Sequence, residues 1–303
     1  MSQSGEASIS RTLAVSTSLG LLFDLFKLRI GLAIGLAALT GAMVTPGPLP
    51  EAWRIAALTL AVTLTSAAAG AFNQYVERDL DARMSRTRGR VFVTGQFAAG
   101  PEWLVAMAAM AAIGIALAQI AANAMSAIYT FLGAFTYAVI YTLWLKRRTR
   151  WNIVIGGLAG SFAVLAGAAA VSPTHLIPMP LIFALLIFLW TPPHFWSLAI
   201  AYRDDYAAAR VPMLPVVIGS AHASRAVLLG ALLLVAVSFV PAAFGLGWPY
   251  LAGAFWGGAY FVYRSALLVH TPNRRTAMAT FHASLFQLAL LLVSAIVDTV
   301  LRG

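Results

Sequence analysis

Residues 53–90 read WRIAALTLAVTLTSAAAGAFNQYVERDLDARMSRTRGR. The stretch opens as an apolar run and ends in a segment with three acids and five arginines, Glu77 to Arg90. A helix needs about 20 apolar residues to cross the hydrocarbon of a bilayer. Residues 53–75 therefore predict a membrane span that emerges into a strongly charged connection. The same unit recurs in both directions. Spans are predicted at 21–44, 53–75, 102–122, 125–145, 152–171, 178–201, 223–243, 249–269 and 277–301. Composition agrees: of 303 residues, 61% are apolar and 10% charged, and the mean hydropathy is +0.84. Soluble domains average about 45–50% apolar and about 25% charged. A soluble enzyme, a disordered chain and a fibrous protein are all excluded. The expectation is an all-α polytopic membrane protein with nine transmembrane helices, residues 1–20 forming a polar tail and residues 21–303 one helical domain.

The charges orient it. Basic residues fall at Arg11, Lys27 and Arg29, and after the second span at Arg78, Arg83, Arg86, Arg88 and Arg90. They recur after the fourth span (Lys146, Arg147, Arg148, Arg150), the sixth (Arg203, Arg210, Arg225) and the eighth (Arg264, Arg274, Arg275). That places 18 of the 20 on one side, leaving Arg54 and Arg302 on the other. The positive-inside rule predicts a cytoplasmic N-terminus and a C-terminus on the opposite side. The first apolar run contains Lys27 and Arg29 and has no small-residue cleavage site, so it reads as a span rather than a signal peptide. The net charge of +10 is absorbed by this asymmetry, and no nucleic-acid partner is expected. The absence of cysteine excludes disulfides, thiolate catalysis and iron–sulfur ligation.

Two segments on the basic side carry chemistry. In the first, Asn73, Glu77 and Asp81 are four residues apart, which on a helix makes one stripe about 12 Å long. Oxygen-only donors suit Mg²⁺, which bridges carboxylates to substrate phosphates. Arg86 and Arg90 follow at the same spacing, and a guanidinium fork fits phosphate oxygens. The pattern predicts a Mg²⁺–diphosphate site. Arg78, Arg83 and Arg88 read as topology charges, and Asp79 as a solvated or paired acid off the stripe.

The second segment begins at Trp190-Thr191-Pro192-Pro193-His194-Phe195-Trp196 and continues through Tyr202, Asp204-Asp205 and Tyr206 to Val211-Pro212-Met213-Leu214-Pro215. Adjacent aspartates repel unless a cation or water separates them, so Asp204 and Asp205 predict a second Mg²⁺ ligand set. Pro192-Pro193 removes two backbone donors and predicts a kink or break in the sixth span. His194 then has three open roles: metal ligand, proton carrier, or partner of a freed carbonyl. Trp190, Trp196, Tyr202 and Tyr206 read either as an interfacial aromatic belt or as shields for an allylic cation. His175, His222, His270 and His282 read as loop or boundary residues. The two acid-rich segments lie four spans apart, the only trace of an internal repeat.

The first segment resembles the first aspartate-rich motif of the UbiA-type intramembrane prenyltransferases. The second resembles the branch of that superfamily that farnesylates heme, and the resemblance covers nearly the whole chain. It implies a UbiA-type bundle and transfer of a farnesyl group from farnesyl diphosphate to a vinyl group of heme b, followed by water addition. It further implies catalytic roles for Asp81, Asp204 and Asp205, and Mg²⁺ held by Asn73, Glu77, Asp81, Asp204 and Asp205. Arg86 and Arg90 would hold the diphosphate, and His194, Tyr202, Trp190 and Arg29 would lie in the heme pocket. The implied surroundings are the lipid bilayer of the bacterial inner membrane and heme A synthase as the consumer of the product. The chain departs from the family pattern at Leu28 and Val91, where family members often carry proline, and at Glu77, where many carry aspartate. A different aromatic acceptor such as 4-hydroxybenzoate stays open, as do an anion transporter and an assembly factor without chemistry.

Overall fold

The computed structural model describes residues 19–174 and 178–302, so the tail expected at 1–20 lies almost wholly outside the described residues, as does His175. Among the described residues every regular element is helical. Nine long helices fall on the nine predicted spans: α1 Leu28–Met43, α2 Ala52–Val76, α3 Pro101–Ala121, α4 Ala124–Leu145, α5 Asn152–Val171, α6 Pro178–Ala201, α7 Ser220–Ala243, α8 Trp248–His270 and α9 Arg274–Arg302. Seven of them, α2 to α7 and α9, are long and apolar enough to cross a membrane. The other two differ for separate reasons. α1 has only 16 residues, although a helical segment at 19–25 precedes it. α8 is long, but Tyr250, Tyr260, Tyr263 and Arg264 dilute its apolar character.

The bundle is turned inside out relative to a soluble fold. Val105, Ile120 and Trp256 are 69%, 71% and 67% exposed, while Asn73, Glu77, Asp81 and Gln287 are buried. Apolar side chains facing outward gain nothing from packing against one another in lipid, so helix association rests on close approach and internal polar contacts. The α1–α5 crossing shows this. A Cβ on Gly41 would collide with the Val164 carbonyl, and one on Gly167 with the Ala38 carbonyl. α1 also packs against α2 and α9, and so joins the α2–α5 half to the α6–α9 half. On the far face, the buried Asp298 accepts from the Gly247 N–H at 3.0 and 3.1 Å and from Arg302 Nε at 2.9 Å, pinning the α7–α8 turn to the end of α9.

Two local expectations change. α6 stays helical through Pro192 and Pro193; no break occurs. Neighbouring helices and side chains compensate lost backbone bonds at membrane depth. Gly230 of α7 lies against the Pro193 ring, the Thr191 hydroxyl bonds the Ile187 carbonyl at 2.9 Å, and Trp190 Nε1 donates to the Ser284 carbonyl at 2.8 Å. The helix bearing the first acidic stripe does end early, at Val76, and resumes as the single turn Arg78–Asp81. The fourfold spacing survives because Glu77 N–H still bonds the Asn73 carbonyl at 3.1 Å and Asp81 N–H the Glu77 carbonyl at 2.8 Å.

The glycine crossing generates a prediction. Gly167→Ala forces α1 and α5 apart and should lower stability by about 1–3 kcal/mol, the usual cost of overpacking. Thermal melts in detergent followed by circular dichroism measure it; an unchanged melting temperature would show that this crossing does not hold the two halves together.

Candidate active site

The buried polar cluster forms where α1, α2 and α4 meet the loop after α2. Asn73, Glu77 and Asp81 all point inward, at 3%, 1% and 2% exposure. Each is bonded to a cation from another element. Lys27 Nζ donates to Asn73 Oδ1 at 2.8 Å, Lys146 Nζ to Glu77 Oε2 at 2.5 Å, and Arg90 Nη1 to Asp81 Oδ2 at 2.6 Å. The other carboxylate oxygen, Glu77 Oε1, is buried with no partner.

Local backbone chemistry delivers these cations. Lys27 sits in the left-handed region, φ 48°, at the break before α1, a conformation that non-glycine residues hold only when their surroundings enforce it. Its side chain runs along α2 past Gly70, where a Cβ would stand 3.3 Å from Lys27 Cδ. The last ten residues of α4, Thr136–Leu145, form a π-helix. π-Helices bond i→i+5 and concentrate at functional sites; here Lys146 N–H bonds the Tyr141 carbonyl at 2.9 Å. The wider turn brings residues four to five apart onto one face. Tyr137 and Tyr141 stack at 5.7 Å, Thr142 Oγ1 accepts from Asn73 Nδ2 at 3.2 Å, and Lys146 reaches Glu77. Lys27 also donates to the Tyr137 hydroxyl at 3.3 Å.

The second acidic segment docks beside the first. Leu80 and Met84 pack in one apolar cluster with Tyr206, Val211 and Met213, so the Val211–Pro215 run works as a plug that joins the two segments. Asp205 Oδ2 accepts from Ser85 Oγ at 2.7 Å and from Arg86 N–H at 3.3 Å. Partial burial would raise the Asp205 pKa, but the Ser85 hydroxyl and the Ser85 and Arg86 N–H groups outweigh it and hold the carboxyl below the usual aspartate value. The Arg86 guanidinium lies over the Tyr202 ring at 5.7 Å, and Arg274 over the same ring at 5.1 Å. Asp79 makes a two-bond pair with Arg147 at 2.8 and 2.9 Å, which lowers its pKa.

The expected metal set is not gathered as one group. Among the described residues no three of His, Asp and Glu stand close enough to share a metal. Asp204 is 98% exposed, with only Arg203 nearby at 3.7 Å. Adjacent residues on a helical turn point about 100° apart, so docking Asp205 on Ser85 turns Asp204 to solvent. Arg86 and Arg90 lie on consecutive turns, not on one helix face, and their guanidiniums diverge, Arg86 to the Tyr202 ring and Arg90 to Asp81. Arg29 is exposed over Phe23 at 5.8 Å, outside the cluster. The heme-pocket set also divides. His194 stacks between Trp190 at 4.1 Å and Phe281 at 4.4 Å, while Tyr202 stands at the basic rim between two arginines. Sequence reasoning missed Lys146, Tyr137, Tyr141 and Thr142. Lys146 opens a Lys-Arg-Arg run that reads as a topology charge, and the tyrosines read as ordinary span residues. A lysine inside an apolar run was the available signal for Lys27.

The residues fit a divalent cation in one respect and an anion in another. Asn73, Glu77 and Asp81 offer oxygen only, the donor chemistry of Mg²⁺, and Glu77 Oε1 is an orphaned buried acceptor. Around two carboxylates stand three cations, Lys27, Lys146 and Arg90, a surplus of positive charge that favours an anionic ligand.

Known proteins resemble this chain in sequence and in fold. A family model described as the UbiA prenyltransferase family matches residues 34–291. "Protoheme IX farnesyltransferase 2" of Paramagnetospirillum magneticum is 55% identical over 289 residues, covering 95% of this chain and 100% of the relative. "Protoheme IX farnesyltransferase 1" of the same organism is 45% identical over 277 residues, covering 91% and 96%. Among solved structures, a UbiA homolog from Aeropyrum pernix superposes with a TM-score of 0.70 at 19% identity, covering 91% of this chain and 98% of that one. A UbiA homolog from Archaeoglobus fulgidus bound to DMAPP and Mg²⁺ gives 0.65 at 13% identity, covering 89% and 98%. Both share its fold. The chain therefore belongs to the UbiA prenyltransferase family, within it to the branch of the protoheme IX farnesyltransferases.

Proposed function

We propose that this prenyltransferase moves the farnesyl group of farnesyl diphosphate onto a vinyl group of heme b, with water completing a hydroxyfarnesyl side chain, to give heme O. The observation that carries the reading is the buried surplus of cations on Asn73, Glu77 and Asp81 beside the orphaned Glu77 Oε1. The names of the two Paramagnetospirillum magneticum relatives support the acceptor, and the Archaeoglobus fulgidus homolog bound to DMAPP and Mg²⁺ supports the donor class and metal.

Lys27, Lys146 and Arg90 would receive the diphosphate, with Arg86 at its rim. Their charge stabilises the leaving group, which gathers negative charge as the allylic C–O bond breaks; such preorganised groups are worth several kcal/mol in a dry site. Asn73, Glu77 and Asp81 would hold Mg²⁺, and Asp205 stands at the edge for a second ion. Bound there, the metal would supply further neutralisation of the diphosphate. The stacked Tyr137 and Tyr141 rings present π-faces that favour an allylic cation, and the bilayer-buried bundle keeps out bulk water that would quench it. The basic face is assigned to the cytoplasm of a bacterial inner membrane, and the product to a heme A synthase.

Membranes containing the protein, supplied with heme b, farnesyl diphosphate and Mg²⁺, should yield a hydroxyfarnesyl heme by mass spectrometry. EDTA or Asp81→Asn should reduce it by about 10²-fold or more, the scale for losing one preorganised charge-stabilising group. Prenylation of 4-hydroxybenzoate with none of heme would overturn the acceptor.

Lys146→Met should likewise cost about 10²-fold in kcat, because it removes a cation and leaves Glu77 buried without its partner. Asp205→Asn should cost more than Asp204→Asn in the same assay, since only Asp205 is docked on the Ser85–Arg86 loop. Equal losses would show that docking on the Ser85–Arg86 loop does not set the two aspartates apart in the reaction.

A further inference from the structure

Three side chains meet at the basic rim without a counter-ion. Tyr202 is the first residue beyond α6 and is half-buried. The Arg86 guanidinium reaches its ring from the loop after α2, at 5.7 Å, and Arg274 from the first position of α9, at 5.1 Å. Both arginines are exposed. Neither guanidinium has a carboxylate partner among the described residues. The nearby acids are engaged elsewhere. Asp205 accepts from the Ser85 hydroxyl and the Arg86 N–H, Asp204 faces Arg203, Asp79 is paired with Arg147 and Asp81 with Arg90. The start of α9 sharpens the imbalance. Arg274 and Arg275 stand at the positive end of the helix dipole, and no acid lies in the first turn of that helix.

The positive-inside rule explains why arginines lie on this face. It does not explain why two of them, from the two halves of the bundle, share one ring. The ring attracts each guanidinium, but the like charges repel each other. An anion bound beside them relieves that repulsion, and a planar guanidinium meets a carboxylate with two parallel bonds. The reading of heme b as acceptor supplies a ligand of that chemistry. Heme b carries two propionate carboxylates side by side on one half of the macrocycle and its vinyl groups on the other half. Tyr202 packs on the apolar cluster that contains Leu80, Met84 and Tyr206, and Tyr141 packs on the same cluster. The rim and the tyrosine face assigned to the allylic cation therefore border one cluster. A macrocycle held at the rim by its propionates directs its vinyl half toward that face.

We propose that Arg274, together with Arg86 on the Tyr202 ring, binds a propionate of the heme acceptor and so orients its vinyl half toward the allylic cation. The proposal rests on the heme reading above. Arg274 is the clean probe, because Arg86 also borders the diphosphate. The test compares heme b with its dimethyl ester, whose propionates are uncharged, on full-length protein in detergent. Binding is followed by the Soret band, and KM and kcat are measured for both. Wild type should bind heme b about tenfold more tightly than the ester, the scale of one hydrogen bond to a charged group. Arg274→Met should remove that preference and raise KM for heme b about tenfold. Ester binding and KM for farnesyl diphosphate should stay unchanged. Arg274→Lys, which keeps the charge but not the fork, should recover part of the preference. Arg275→Met, which removes the adjacent charge and spares the ring contact, should keep all of it. Equal affinity of wild type for heme b and its ester overturns the proposal. So does an equal loss in Arg274→Met and Arg275→Met, which would mark a general effect of surface charge. If wild type farnesylates heme b and its ester alike, propionate anchoring is wrong and the acceptor reading stands. If wild type neither binds nor modifies heme, the acceptor reading falls and the proposal with it.

Discussion

Two carboxylates buried inside an apolar bundle set the terms for the rest of the molecule. Glu77 and Asp81 would be prohibitively costly as isolated charges at such depth. Lys146 and Arg90 bond them directly, and Lys27 occupies Asn73 alongside. Each cation arrives from a different place: Lys27 from the break before α1, Lys146 from the end of the π-helix, Arg90 from the loop after α2. The site therefore depends on backbone irregularities that regular helices would not supply. A left-handed lysine, a π-helix and an interrupted acidic helix all lie within one cluster, as expected where function rather than stability dictates backbone conformation.

The apolar framework around the cluster is built to hold such a site still. Lipid offers no hydrophobic drive for helix association, so close backbone approach does the work, most directly where Gly41 and Gly167 let α1 meet α5. At the other end of α1, Lys27 reaches Asn73 of α2 and Tyr137 of the π-helix. The second half contributes differently. Its plug, Val211 to Leu214, wedges the Asp204–Asp205 turn against Leu80 and Met84, so the two acidic segments meet through apolar contact and a hydroxyl bridge rather than through their charges. Deeper in that half, the Trp190–His194–Phe281 stack makes a second rigid polar point.

Much of this was legible in the amino-acid order. Apolar run lengths located all nine long helices, since a span is a local property of about 20 consecutive residues. The regular spacing of Asn73, Glu77 and Asp81 located the buried polar cluster, because i to i+4 spacing converts directly into a shared face. The corrections have a common cause. Arg86 and Arg90 share a spacing but not a helix, and spacing means nothing once the chain turns. Asp204 and Asp205 are chemically equivalent in the sequence, and only docking against Ser85 distinguishes them. Pro192-Pro193 signals a broken helix locally, while α7 and the Thr191 side chain keep it whole.

The sequence by itself determined the membrane architecture, the basic face and the acidic residues at its centre, for these follow from hydropathy, charge and short-range periodicity. Only the tertiary structure decided which cations hold those acids. Lys27 and Lys146 stand 46 and 69 residues from their partners Asn73 and Glu77, and no local rule distinguishes them from lysines that merely mark a membrane face. Pairing at that distance is set by helix packing, and helix packing by side chains and glycines far from either residue.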